Sequence, residues 1–276
     1  MKRDAAGSGE QPCRCVVVGS HERATMEWMD APLACVLFNL AAVGFGYALA
    51  PVLIRQKGAE SNVHDDADIV GSLPVFAVIT GLAFYHTLSS GGSVETRWTS
   101  TSISSRAFLW LYLVRQLVSF PFVFIGATKF SDKVLMTVHH IVSIVAYGNG
   151  LLTNRLHWYA TLDGCCEITT IFLNVLLAFR AVGYKGVLNT VNGITLWAAF
   201  LIFRLGLFPY WLWCFSVDIA RHPGETSAKV TKFELLFYPA TTLLLLAMSI
   251  MWFVSLTKGM LKALGMLPAR KAGKTP

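Results

Sequence analysis

Four side chains capable of acid–base chemistry lie close together in one of the most apolar regions of the sequence. His139 and His140 are adjacent, and Asp163 and Glu167 follow within thirty residues. A neutral imidazole can act as a base, an acid or a nucleophile near neutral pH, and a hydrogen-bonded carboxylate can fix its tautomer. These residue types predict acid–base or nucleophilic chemistry at a polar site within an apolar segment.

Helical spacing places these groups on two polar faces. One face carries Asp163, Glu167, Thr170 and Asn174, and the preceding segment carries His140, Ser143 and Tyr147. Both sets follow the three- and four-residue steps of a helix. We therefore predict two consecutive helices whose polar faces meet at a buried cavity, in which Asp163 binds a polar head group.

A hairpin would bring His140 and Glu167 to the same depth. Its turn is predicted near Asn154, with His140 14 residues before it and Glu167 13 residues after it. At about 1.5 Å per helical residue, both lie roughly 20 Å from the turn. We predict that the two side chains face each other, in contact directly or through one water molecule.

The elements that position these residues are predicted to be membrane helices. The chain of 276 residues is 54% hydrophobic and only 14% charged, whereas soluble domains carry about 25% charged residues. Apolar runs near the roughly 20 residues that cross a bilayer recur along it. We predict an all-α, polytopic membrane bundle of seven transmembrane helices at residues 31–54, 69–89, 107–128, 134–153, 157–179, 187–215 and 235–257.

The charge pattern divides the chain into a polar N-terminal tail (1–30), a transmembrane domain (31–260) and a basic C-terminal tail (261–276). The net charge is +7, but the basic residues are scattered except in the last segment. A basic juxtamembrane tail favours anionic lipid head groups and a cytosolic C-terminus. Aromatic residues do not alternate with basic ones, so no nucleic-acid partner is expected.

The N-terminal tail lacks a signal-peptide core, and its Cys13 and Cys15 are free thiols or palmitoylation sites.

Other polar residues have two interpretations each. Arg204 and Arg115 are predicted either to pair with a carboxylate or lipid phosphate, or to extend towards the membrane surface. His86 and His157 lie near span ends and are expected at the interface. Residues 89–105 are rich in Gly, Ser and Thr and are expected to form a flexible loop.

The histidine–carboxylate group also has several interpretations. It could be structural, since polar side chains join membrane helices, or it could form a proton or solute pathway. A metal site is less compatible, because adjacent histidines point about 100° apart on a helix; no metal and no bound cofactor are expected. The remaining interpretation is recognition of a lipid, or chemistry on one.

Several segments resemble the TLC domain, the membrane domain shared by ceramide synthases and a set of TLC-domain-containing proteins. They are the histidine pair, LDGCCEITTIFLNVLLAFR, FLIFRLGLFPY and MWFVSLTKG. The spacing E-x-x-T-x-F-L-N from Glu167 to Asn174 and the triplet ETR at 95–97 add to the likeness, which covers residues 60 to 260.

The resemblance implies a function. In ceramide synthases the paired histidines and acidic residues serve N-acyl transfer from acyl-CoA to a sphingoid base. It implies His139 and His140 as the catalytic pair, acyl-CoA as co-substrate, and a membrane lipid or sphingoid base as partner. The expected location is the endoplasmic reticulum, with the plasma membrane as the alternative. The sequence departs from the ceramide-synthase motif, because it carries Leu162–Asp163 instead of a second His-Asp pair. It more closely resembles the TLC-domain-containing branch, whose members are linked to membrane phospholipid composition.

Three functions remain open at this point. The protein could be an acyltransferase in which Glu167 orients His139 or His140, or a non-catalytic regulator that binds lipid in the same cavity. It could also be a seven-helix transporter or receptor, although neither a D-R-Y triplet nor an N-P-x-x-Y motif occurs at the expected spans. The oligomeric state is not indicated by the sequence.

Overall fold

The structure, a computed structural model, describes residues 32–53, 63–125 and 130–266. The predicted N-terminal tail, with Cys13 and Cys15, and most of the basic C-terminal tail lie outside these ranges. The helices are α1 Pro32–Leu53, α2 Val63–Ser90, α3 Val94–Thr99, α4 Ile103–Ile125, α5 Phe130–Thr153, α6 His157–Gly164, α7 Ile168–Ala181, α8 Val187–Phe200, α9 Leu207–Arg221 and α10 Lys232–Ala263. A 3₁₀ turn, Cys165–Glu167, joins α6 to α7, and a π-helical turn, Leu201–Gly206, joins α8 to α9.

Seven helical segments are long and apolar enough to cross a membrane, and the described residues contain no strand. The segments are Pro32–Leu53, Val63–Ser90, Val94–Ile125, Asp132–Thr153, His157–Ala181, Val187–Arg221 and Lys232–Ala263. The predicted all-α membrane bundle is therefore confirmed. The second span begins earlier than predicted, at Val63, and so includes Asp65, Asp66 and Asp68.

Small residues allow α1 and α2 to pack backbone against backbone. A Cβ atom added at Gly46 would lie 2.0 Å from the carbonyl oxygen of Ala67, and one added at Gly71 would lie 2.3 Å from that of Ala42. Ala42 and Gly46, like Ala67 and Gly71, are four residues apart, which is the small-residue spacing that favours close contact of membrane helices.

Helix α2 occupies the centre of the bundle, with α1, α4, α6 and α7 packed against it. Helix α5 packs extensively on α4 but only slightly on α6. The hairpin predicted from α5 and the following span does turn near Asn154, whose φ is 51°, yet its two arms stand apart. The space between the two arms is part of the cavity described below.

The alternation of seven spans gives the bundle two membrane faces. We call "mouth face" the one that holds the start of α2, the end of α7, the start of α8 and the end of α10. The opposite face, the "α3 face", holds α3, the turn between α5 and α6, and the segment between α9 and α10.

The α3 face is built differently from the prediction, because the segment expected to be a flexible loop contains a packed helix. Ser93 caps α3 in a capping box with Thr96, and Trp98 is fully buried. Asp218 of α9 accepts hydrogen bonds from Arg97 Nε (2.9 Å), Trp98 Nε1 (2.9 Å) and the Tyr159 hydroxyl (2.7 Å). This buried carboxylate ties α3 to α6 and α9.

The two histidines expected at the interface are buried instead. His86 Nδ1 lies 2.9 Å from the Ser102 hydroxyl, and His157 lies 2.9 Å from the Ser105 hydroxyl through Nδ1 and 3.1 Å from the Gly150 carbonyl through Nε2. Neither ring is more than 1% exposed. Ser102, just before α4, and Ser105, in its first turn, thus bond to the Nδ1 atoms of two rings for which the sequence predicted contact with water.

Candidate functional site

Two interruptions of regular helix geometry each carry a charged residue inside a membrane span. Glu167 lies in the 3₁₀ turn and Arg204 in the π-helical turn; such short departures from α geometry often mark functional positions. Gly164, just before the 3₁₀ turn, lets the Phe108 ring lie where a Cβ atom would be, 2.2 Å from its Cζ. Pro209 has no amide hydrogen to donate to the carbonyl of Leu205, which removes one α-helical bond beside the π turn.

A cavity of about 830 Å³ lies between α2, α4, α5, α7, α8 and α10. Its volume is within the range of small-molecule sites. The inner end is polar and includes Arg115, His139, His140, Glu167 and Arg204. These polar and charged side chains can lie within apolar membrane spans because they line a cavity and do not face lipid.

The cavity runs from this inner end to the mouth face. Its lining reaches Asp65 at the start of α2, Arg180 at the end of α7 and Leu264 at the end of α10. From Glu167 to Arg180 the chain advances 13 residues, or roughly 20 Å of helix. The wall along this length is mainly apolar and includes Leu173, Leu176, Leu177, Ile194, Phe200 and Leu256. A long apolar chain therefore fits between two polar ends.

Glu167 is held by two hydroxyl donors. The Tyr112 hydroxyl donates to Oε1 at 2.8 Å, and the Thr170 hydroxyl donates to Oε2 at 2.6 Å. The Cys166 thiol lies 3.8 Å from Oε1. The residue is 4% exposed, so its carboxylate keeps one position, with remaining lone pairs available towards the cavity.

The paired histidines line the same cavity without a carboxylate partner. Their ring centroids are 5.7 Å apart, and the Nδ1 atom of each is buried without a hydrogen-bond partner in the described part of the chain. Phe120 packs against His140, and Trp252 against His139. Imidazole groups that line a cavity without a carboxylate partner are suited to bind a ligand or to exchange a proton with it.

The direct hydrogen bond expected between His140 and Glu167 is not formed. The described contacts of Glu167 go to Tyr112, Thr170 and Cys166. Because α5 packs on α4 and stands away from α6, the cavity occupies the space that the hairpin prediction closed. Contact through one water molecule, the other form of that prediction, stays a prediction.

Asp163 is placed apart from the other three residues. Its Oδ2 accepts a hydrogen bond from the Tyr147 hydroxyl at 2.9 Å, and it is not among the described residues that line the cavity. The Tyr147 ring packs 4.3 Å from the Tyr112 ring between centroids. Asp163 therefore shares no hydrogen bond with Glu167 in the described part of the chain, although the two carboxylates interact electrostatically. Its contact with a head group stays a prediction.

The two buried arginines differ in their partners. Arg115 Nη2 donates to Asp68 Oδ1 at 2.6 Å, whereas its Nε and Nη1 atoms are buried without a partner. Arg204 Nε donates to the Thr169 hydroxyl at 2.8 Å. Both side chains are at most 7% exposed, so extension to the membrane surface, one of the two predicted interpretations, is wrong for both.

Sequence reasoning missed Tyr112, Asp68 and Ser72. Tyr112 lies three residues before Arg115, and this helical spacing could have indicated a polar face on α4. Asp68 was placed just outside a span, and Ser72, which accepts from Asn174 Nδ2 at 2.7 Å, carries no charge to draw attention. The described residues contain no group of three or more His, Cys, Asp or Glu side chains that could hold a metal ion.

Comparison with known proteins shows that most of this sequence matches one family. The family model described as the TLC domain matches residues 70–258, a range that contains the whole inner end of the cavity. TLC domain-containing protein 4-B of Danio rerio is 27% identical over 143 residues, which are 50% of this chain and 53% of that protein. The match thus spans about half the length of this curated relative.

Proposed function

This chain belongs to the TLC-domain family, and on that premise we propose that its cavity binds a membrane lipid and that His139 and His140 serve acyl transfer to it. The chain is an integral multi-pass membrane protein with seven spans. The proposed location is the endoplasmic reticulum, with the plasma membrane as the alternative. The proposed partners are a membrane lipid or sphingoid base and acyl-CoA.

One observation carries the proposal: the cavity joins a polar inner end to an apolar wall inside the membrane. Charged groups are costly in a bilayer unless a partner or cavity compensates them. Here the side chains of Arg115, Gln116, His139 and His140 line the inner end, and each also has a buried polar atom without a partner in the described part of the chain. An amphiphile would match both parts of the cavity, since its polar group would lie among these side chains and its chain along the apolar wall.

The acyl-transfer step would use an imidazole as the proton carrier. The nitrogen of a neutral amine attacks the thioester carbonyl of acyl-CoA, so that a C–N bond forms and the C–S bond breaks. His139 or His140 accepts the proton that the amine loses and returns it to the leaving sulfur, giving an amide and free coenzyme A. Glu167, fixed by Tyr112 and Thr170, accepts a hydrogen bond from the substrate amine or hydroxyl.

A non-catalytic lipid-binding regulator is the second candidate, and one observation favours it. No hydrogen bond joins either histidine to a carboxylate among the described residues, so the histidine–carboxylate pair is not preassembled for proton transfer. In this case the same cavity recognises a lipid, and the protein alters membrane phospholipid composition without turnover. No specific observation favours a transporter or receptor.

The test compares the wild type with the His139→Ala/His140→Ala double variant, and with His222→Ala, an exposed histidine outside the cavity, as the matched control. Purified proteins are assayed for thiol release from acyl-CoA in the presence of a sphingoid base, and lipids of expressing cells are profiled. General acid–base catalysis contributes roughly 10²–10⁴-fold, so the double variant should lose at least about a hundredfold of the rate.

Three outcomes separate the candidates. Turnover in the wild type and His222→Ala, lost in the folded double variant, supports the acyltransferase. A lipid profile that depends on the histidines, with no thiol release from the wild type, supports the regulator. A folded double variant that leaves both readouts equal to the wild type rejects both proposals.

A further inference from the structure

Arg204 is a buried cation that lines the cavity and forms no direct ion pair in the described part of the chain; Glu167 and Asp163 attract it only at longer range. It is 7% exposed and lines the inner end. Its one hydrogen bond in the described part of the chain runs from Nε to the neutral hydroxyl of Thr169, and none of the ion pairs of the described residues includes it. A buried charge without a directly bonded counter-ion is costly, so a ligand anion in the cavity would have room to bond to it directly.

Comparison with Arg115 shows that the lack of a direct ion pair is particular to Arg204. Arg115 lines the same cavity and pairs with Asp68 at 2.6 Å. Glu167, the other carboxylate at the inner end, accepts hydrogen bonds from Tyr112 and Thr170 and not from Arg204. One cavity arginine therefore has a directly bonded carboxylate, whereas the second has none among the described residues.

The surroundings of Arg204 fix the orientation of its guanidinium group. Phe200 and Trp252 lie 5.2 Å and 6.0 Å from its Cζ, measured to the ring centroids. With Nε bonded to Thr169, the two terminal nitrogens remain for a ligand. A planar guanidinium presents these nitrogens in the geometry that carboxylate and phosphate oxygens match.

We propose that Arg204 is a specificity-determining residue that binds the oxyanion, carboxylate or phosphate, of the amphiphile in the cavity. The inference rests on the proposed lipid-binding function and names the class of membrane lipid that the cavity would bind beside the amine acceptor: a single apolar chain or chain pair with an anionic group at its inner end. The chain of that ligand lies along the apolar wall formed by Leu176, Ile194 and Leu256.

The test measures binding of matched amphiphiles to the full chain purified in detergent. Palmitate is compared with hexadecanol, and lysophosphatidate with monoacylglycerol, by native mass spectrometry; inorganic phosphate serves as the anion without a chain. The variants are Arg204→Gln and Arg204→Lys, and Arg221→Gln, an exposed arginine at the α3 face, is the matched control. Hydrogen bonds to charged groups predict a roughly ten- to hundredfold loss of anion binding in Arg204→Gln, with hexadecanol and monoacylglycerol changed by less than about threefold.

The arms of the experiment separate the ligand sources and the two proposals. Loss confined to palmitate indicates a carboxylate ligand, and loss confined to lysophosphatidate indicates a phosphate. Binding of inorganic phosphate that Arg204→Gln abolishes, without any chain dependence, would overturn the amphiphile part of the inference. If Arg204→Gln does not yield folded protein, Arg204→Lys replaces it in the test. Lysine keeps the charge but lacks the planar guanidinium group, so a smaller loss of binding, again confined to the anionic amphiphiles, is expected.

Failure of the inference looks different from failure of the proposed function. A wild type that binds palmitate and hexadecanol equally, with no change in the folded variants, overturns the role of Arg204 while lipid binding stands. A wild type that binds none of the amphiphiles overturns the lipid-binding function itself. Equal loss of charged and neutral ligands in folded Arg204→Gln would show a packing role and contradict the inference.

Discussion

Glu167 depends on its hydroxyl donors because it is buried at the inner end of the cavity, where water cannot solvate it freely. Tyr112 supplies one of the two strong hydrogen bonds. We expect Tyr112→Phe to lower the free energy of unfolding by roughly 1–3 kcal/mol, the cost of leaving a buried charged acceptor short of a donor. Unfolding in detergent by heat or denaturant measures it, and Tyr85→Phe, at an exposed tyrosine of α2, is the control.

A double-mutant cycle isolates the contribution of the charge. In the Glu167→Gln background, Tyr112→Phe should cost about 1 kcal/mol less, because a hydrogen bond to a neutral amide is roughly half as strong as one to a carboxylate. Equal losses in the two backgrounds would contradict the role of Tyr112 as the donor that holds the carboxylate.

At the residue scale, three of the four polar residues that the sequence grouped line one cavity, but their hydrogen-bond partners were not predicted. His139, His140 and Glu167 do line one cavity. Asp163 does not, because the 3₁₀ turn between it and Glu167 changes the direction of the helix face. The prediction that Asp163 and Glu167 share a helix face assumed an unbroken helix. No residue type at 165–167 indicates a 3₁₀ turn.

The α1–α2 pair gives a sharp test at the scale of elements. We expect Gly46→Ala to destabilise the bundle by about 1–3 kcal/mol, because its Cβ would overlap the Ala67 carbonyl and push the helices apart. Gly44→Ala, where nothing lies within 4 Å, should stabilise by up to about 1 kcal/mol through helix propensity. Thermal unfolding of the purified variants measures the two effects, which differ in sign; a Gly46→Ala protein as stable as Gly44→Ala would disprove the backbone contact.

The α3 helix provides a second test, at Asp218. Asp218→Ala leaves Arg97, Trp98 and Tyr159 without their shared acceptor. We expect a loss of roughly 3–5 kcal/mol, the usual cost of removing one partner of a buried ion pair. Lys229→Ala removes a solvent-exposed ion pair with Glu95 and should cost less than about 1 kcal/mol. Denaturant titration of both variants checks the contrast, and a similar small loss in each would show that α3 is not anchored by Asp218.

The seven helices could be predicted because each apolar run is long enough by itself to indicate a span. The α3 segment could not, because its composition is that of a loop and its order comes from a partner more than a hundred residues away, Asp218. The same reason explains His86 and His157: their burial depends on serines brought in by a neighbouring element. Local composition does not contain such tertiary partners.

At the scale of the whole molecule, the spans determine from which side the cavity is reached. With seven alternating spans, the mouth face and the C-terminal end of α10 lie on one side, and the start of α1 lies on the other. Acyl-CoA is water-soluble, so an acyltransferase needs the mouth on the side that supplies it. The basic tail after α10 predicts that this side is the cytosol.

Site-directed thiol labelling tests this arrangement. Thr190→Cys places a thiol at the mouth, and Glu225→Cys places a matched exposed thiol at the α3 face. Both are made in a Cys13→Ser/Cys15→Ser background, since Cys35, Cys165, Cys166 and Cys214 are buried. In sealed vesicles, we expect a membrane-impermeant maleimide to label Thr190→Cys only when a C-terminal tag is accessible to protease, and Glu225→Cys only when the tag is protected.

Labelling of both thiols from one side would show that the spans do not alternate as described. A bulky maleimide on Thr190→Cys should also reduce amphiphile binding by obstructing the mouth, whereas the same adduct on Glu225→Cys should leave binding unchanged. Binding that survives the adduct at the mouth would mean that the ligand enters from the bilayer between helices. In that case the roughly 20 Å of apolar wall would be the binding site of the ligand chain but not its entry path.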